Sequence, residues 1–144
     1  MVNQIDRPAR ARRNEAGTSV VEMAIVLPLL LLLVFGIGEF GIAYTRWNSL
    51  TNAVREGARE CVVFRNPCNA GAVTTLIETT IDNFADSSGL DTSIINKTVV
   101  GACLGTGTQL SVTATAPYDY IALSALAGLG PTMNLTARSV MRNE

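Results

Sequence analysis

Hydrophobic and polar positions follow three different rhythms along this chain. Residues 20–44, VVEMAIVLPLLLLLVFGIGEFGIAY, are apolar almost without interruption. About 20 such residues let a helix cross roughly 30 Å of hydrocarbon, so the run predicts a membrane-spanning helix. Beyond it, Trp47, Leu50, Val54, Ala58 and Cys61 recur at spacings of 3, 4, 4 and 3. That is the apolar stripe of a helix, and it predicts that the helix continues outward as a stem. Arg55, Glu56, Arg59 and Glu60 fall mostly off the stripe, as a solvated face on which Glu56 and Arg59 can pair across one turn.

The turn residues NPCNAG at 66–71 end the stem. Val73, Leu76, Ile77, Ile81 and Phe84 then fit one face of a second helix over residues 72–85, expected to pack on a sheet, and residues 86–89 break it. A two-residue rhythm follows. NKTVVGACLG and TQLSVTATA predict strands around a turn at residues 105–107, with Leu110, Val112 and Ala114 alternating with Ser111, Thr113 and Thr115. NLTARSVMR offers a third strand. Between them, YIALSALAGLGP is too apolar for a solvated loop and reads as a short helix or a contact surface. The fold class expected is α+β: a long N-terminal transmembrane and stem helix, then a small head with one helix and an antiparallel sheet of about three strands.

Charge orients this arrangement. The first 17 residues, MVNQIDRPARARRNEAG, hold Arg7, Arg10, Arg12 and Arg13 against Asp6 and Glu15. Such a basic flank favours retention in the cytoplasm, which sends the C-terminal part outside and puts Tyr44 and Trp47 at the outer headgroup level. Glu22 and Glu39 interrupt the apolar run 17 residues apart, about 25 Å along a helix, so each can lie near one face of the bilayer. Pro28 removes one backbone hydrogen bond and predicts a kink or local break in the helix. The run exceeds the 7–15 residues of a secretory signal's apolar region and no convincing A-x-A-like site follows it, so the helix should stay with the mature protein. Gly36, Gly38 and Gly41 match G-x-G-x-x-G letter for letter. A dinucleotide fingerprint needs a strand before it and a helix after it, however, and these letters lie inside the apolar run.

With 144 residues the chain has room for one domain, and a net charge of −1 leaves no basic footprint for nucleic acid. It contains no histidine, which removes the usual general base and the commonest metal ligand. Glu78, Asp82, Asp86, Asp91 and Asp119 are scattered without a recognisable pair. We therefore expect no enzyme, no catalytic residues, no metal, no cofactor and no small-molecule substrate. Three cysteines, Cys61, Cys68 and Cys103, all follow the apolar run, on the side where oxidation is permitted. A Cys68–Cys103 bond would tie the post-stem turn to the first strand and leave Cys61 on the stem stripe. Cys61–Cys68 is a rival pairing, and a fully reduced set is a third possibility.

A basic leader, Gly17, four uncharged residues, Glu22 and an unbroken apolar helix together resemble a prepilin-type signal. In that family an inner-membrane aspartyl peptidase cuts after the glycine, which here implies cleavage between Gly17 and Thr18. The segments VLPLLLLLVFGIGEF, AVREGARE at 53–60 and the terminal NLTARSVMRNE are similar to the TadE/TadG-like pseudopilins of the tight-adherence (Tad, Flp-type) type IV pilus. The resemblance covers residues 16 to about 62 well and the last dozen loosely; Met23 stands where the pilin pattern often has an aromatic residue.

The resemblance implies a leader at 1–17, a transmembrane helix at 18–45, a helical stem at 46–65 and an extracytoplasmic head at 66–144. It implies residence in the bacterial inner membrane, with prepilin peptidase, other pilin subunits and the pilus assembly platform as partners. It further implies that Glu22 sets subunit register by meeting the amino terminus of a neighbouring subunit. That α-amino group, on Thr18 after cleavage, is a cation with a pKa of about 7.7–8.0, and each charge would offset the other's desolvation. In related pilins a break such as Pro28 lets the stem melt during extraction. A head of this size suggests a minor rather than a major subunit. The alternative is a permanently membrane-anchored accessory protein with a partner-binding head, distinguished by an uncut leader. Cleavage would leave seven basic and ten acidic residues, a net charge of −3.

Overall fold

The computed structural model describes residues 10–60, 68–120 and 132–143, with side chains of the first helix from Gly17 onward. Helix α1 (Arg10–Glu60) is 51 residues long, about 76 Å at 1.5 Å per residue. Of the kink or local break expected at Pro28, the break is not seen: the helix continues through that residue. A proline removes one N–H from the ladder, and the helical bonds of the turns on either side are enough to keep the secondary structure.

Helix α2 (Ala70–Ser87) owes its bounds to local chemistry at each end. Asn69 caps its start: its side-chain oxygen accepts from the N–H groups of Gly71 and Ala72 at 3.1 and 3.2 Å, two of the donors a helix start leaves over. At the other end Gly89 takes a left-handed conformation, φ 74°. Its N–H bonds Asp86 O while that of Leu90 reaches back to Ala85 O, the pair of bonds that closes a helix around a glycine. A 3₁₀ turn (Thr92–Ile94), started by Asp91, leads into the sheet.

Strands β1 (Asn96–Val100), β2 (Gln109–Asp119) and β3 (Thr132–Arg142) form one antiparallel sheet in that order. The alternation seen in the sequence becomes the two faces of this sheet. Leu110, Val112, Ala114, Ala116 and Tyr118 of β2 point inward, opposite Met141, Ser139, Ala137, Leu135 and Met133 of β3. The first predicted strand was expected to run through residue 105 but stops at Val100. Gly101, Cys103, Gly105 and Gly107 all have positive φ, and a Cβ on Gly101 would run into the carbonyl oxygen of Gln109, so half of that segment is a turn. In return β2 runs on through Pro117, past the last β1 partner at Thr115. There β2 has a neighbour on one side only, a place where a strand accommodates a residue without an N–H.

The core lies between this sheet and the outer half of α1, which packs across β2 and β3. Small side chains from both surfaces, Ala53 and Ala58 of the helix and Ala114 and Ala137 of the sheet, are fully or nearly fully buried in this core. Contrary to expectation, α2 packs chiefly along α1 and not on the sheet. Gly57 decides this: a Cβ there would meet Ile81 Cγ1 at 2.8 Å and Ile77 O at 3.2 Å, so the two helices approach as closely as only a glycine permits. The buried row of α2 is accordingly Ile77, Ile81 and Ala85, four residues apart, while Phe84 stays 38% exposed. One ion pair, Lys97 Nζ to Asp82 at 2.5 Å, joins α2 to β1. Cys68 and Cys103 lie at disulfide-bonding distance with Cα atoms 5.7 Å apart, linking the start of α2 to the β1–β2 turn. The expected end of the stem near residue 65, Cys61 and residues 121–131 of the apolar segment between β2 and β3 lie outside the described residues.

Candidate functional site

Helix α1 is two helices in its surroundings. From Val20 to Ile37 every large apolar side chain is exposed, from 38% at Leu32 to 73% at Leu29. Among the described residues this is the one helix long and apolar enough to cross a membrane. Glu22 and Pro28 sit on this bare stretch and Gly17 and Thr18 lie just before it on the same helix, with Thr18 and Glu22 one turn apart on a shared face. The structure therefore keeps the four N-terminal residues singled out by sequence on one element, and separates them from Cys68 and Cys103 in the head. Among the described residues no group of three His, Cys, Asp or Glu side chains is placed to hold a metal.

From Glu39 onward the helix belongs to the head. Glu39, expected at the outer edge of the bilayer, is 5% exposed, and Ala43 is likewise buried. Tyr118, at the inward end of β2, donates its hydroxyl to the main-chain oxygen of Glu39 at 3.4 Å. The Arg46 guanidinium lies over the Tyr118 ring, 5.3 Å from its centroid, within the range of a cation–π contact. Tyr120 meets the same ring edge-on at 5.9 Å. Burial and then the nearby charge of Glu39 push the Tyr118 hydroxyl above its ordinary pKa, and Arg46 pulls the other way. One turn further out, the Trp47 indole N–H donates to Thr136 O at 3.1 Å, tying α1 to β3.

Sequence reasoning missed this junction. A signal for it was present: continuing the inward phase of β2 beyond Ala114 leads to Ala116 and Tyr118, and Arg46 is the first cation after the apolar run.

Residues 17–59 match the family model for TadE-like protein. Over this stretch the long helix is similar to TadE-like proteins. The match starts at Gly17 and ends one residue before α1 does, so α2 and the sheet lie outside it. Such a segment is consistent with a component of the Tad pilus. No curated protein and no solved structure matches the chain.

Proposed function

We propose that this chain is a minor pilin or pseudopilin of a Tad-type pilus: a structural subunit cut by prepilin peptidase between Gly17 and Thr18 and assembled with other pilin subunits on the pilus platform. The observation that carries the proposal is the coincidence of the TadE-like match at 17–59 with a helix whose first half is apolar and bare in the single chain. Such a surface needs lipid before assembly and neighbouring helices after it. In this reading α1 holds the subunit in the bacterial inner membrane. The arginines of the leader keep the N-terminus cytoplasmic, and the head lies outside.

Glu22 then has a specific task. Standing one turn from the new α-amino group of Thr18, with its side chain exposed, it meets the amino terminus of the adjacent subunit and sets the register between them. The N-terminal sequence and intact mass of the protein recovered from membranes test the reading. A start at Thr18 supports it. A start at Met1 in a host with active prepilin peptidase overturns it in favour of a permanently anchored accessory protein. For Glu22→Gln the expected outcome is normal membrane insertion with loss of incorporation into the filament; normal incorporation would remove the register role.

A further inference from the structure

Where α1 leaves the head, helix and sheet enclose an open groove of about 410 Å³. Gly36, Phe40 and Ala43 form its helical wall, and Tyr120, Met133 and Leu135 form the wall on the head. Among the described lining residues Glu39 alone is charged. Below the groove the bare stretch from Val20 to Ile37 counts 18 residues, about 27 Å of helix, close to the roughly 30 Å of bilayer hydrocarbon. With that stretch in the membrane, the groove opens at the top of the hydrocarbon layer. Amphipathic rings gather around the groove from separate elements: Tyr44 and Trp47 on α1, about 10 and 15 Å of helix beyond Ile37, and Tyr120 one residue past β2. Rings of this kind settle at the headgroup boundary. The indole N–H of Trp47 is already satisfied by Thr136, which leaves its apolar ring to line the groove.

We propose that this groove takes the upper part of an acyl chain of a membrane phospholipid, so that the head is seated in the headgroup layer and does not stand clear of it. The inference rests on the reading of α1 as a membrane span. It assigns the groove to lipid because Gly36 and Phe40 belong both to the groove and to the helix face that continues down the bare stretch through the exposed Leu33, Leu29 and Val26 before it reaches Glu22. A chain lying along that face enters the groove with no change of surface chemistry. The head then touches the membrane at a second place besides the helix, which fixes its orientation relative to the bilayer.

Trp47 is the chain's only tryptophan, so its fluorescence reports on the groove directly. The protein is reconstituted in phosphatidylcholine vesicles carrying bromine either high on the acyl chain or near its end, and flotation with the vesicles is checked first. The expected result is strong quenching by the high bromines and weak quenching by the deep ones. In Gly36→Leu, where an added Cβ meets nothing within 4 Å, the side chain obstructs the end of the groove that faces the span, where a chain must enter, and most of that quenching should disappear. Quenching by aqueous iodide in place of bromolipid would overturn the proposal by showing a water-filled groove. Insensitivity to both quenchers would overturn it in favour of cover by protein, either a second copy or residues 121–131. Bromolipid quenching unchanged in Gly36→Leu would mean lipid beside Trp47 but not in the groove. A protein that does not float with the vesicles sinks the membrane reading itself, and that outcome is distinct from the other three.

Discussion

Single atoms decide two of the contacts on which the head depends. Gly57 can carry no side chain without parting α1 from α2, since the nearest atoms belong to the stiff Ile81 and to a main-chain carbonyl. Alanine is otherwise the better helix former by about 1 kcal/mol, yet overpacking of this kind costs typically about 1–3 kcal/mol. Gly57→Ala should therefore lower the stability of the head in chemical denaturation, against the direction that helix propensity alone would give; a gain in stability would mean that the helices can part cheaply. Tyr118 supplies a pH-dependent counterpart. Its hydroxyl titrates above its ordinary value, chiefly because it is buried and next because Glu39 is near. A folded pKa raised above the unfolded one stabilises the fold fully below about pH 10 and loses that contribution as pH rises through the folded value. Ultraviolet titration of the three tyrosines should show one ionising late, together with loosening of the head. Arg46→Met should delay that step further, because Arg46 is the group that opposes the shift. An unchanged titration would mean that the guanidinium is not held over the ring in solution.

Element by element, what the sequence foretold followed from how local each signal was. The second helix appeared where a 3.6-residue rhythm lay between an asparagine cap and a glycine stop, and the two long strands appeared where alternation was strict. The first strand was overestimated, since it turns at Gly101, whose positive φ goes with the close approach of Gln109 on the returning strand. The partner of α2 was misjudged for the same kind of reason: amphipathicity says that a helix has a buried face, not what covers it. The link between elements that Cys68 and Cys103 are placed to make closes a span of 35 residues. A disulfide over such a span stabilises by about 2–4 kcal/mol. In a Cys61→Ser background, Cys103→Ser or added reductant should lower the denaturation midpoint of the head by a corresponding amount. If neither does, the pair is not oxidised in the protein tested.

Over the whole molecule, the boundary between anchor and head falls further toward the N-terminus than hydropathy places it. The apolar run extends to Tyr44 by composition, but Glu39 and Ala43 are already under the sheet and Leu50, Ala53 and Val54 are completely buried. A variant beginning at residue 38 should keep the head folded and free of detergent. One beginning at residue 50 removes the strip of helix that Tyr118 and Trp47 hold and should yield an aggregating or unfolded chain; circular dichroism and size-exclusion chromatography of the two would show it. Equal behaviour of both would mean that the outer half of α1 is not needed for the core.

The α+β class, the long helix and its apolar first half were determined by the sequence itself, because backbone periodicity and hydropathy are properties of neighbouring residues. The candidate residues Gly17, Thr18 and Glu22 were visible for the same reason, all lying within a few positions of one another. Only the tertiary structure decided where that helix stops being surface and becomes core. The same apolar side chain serves a membrane, a neighbouring subunit or a sheet equally well, so the choice among them rests on which distant residues, here Tyr118, Tyr120, Met133 and Leu135, are folded back to meet it.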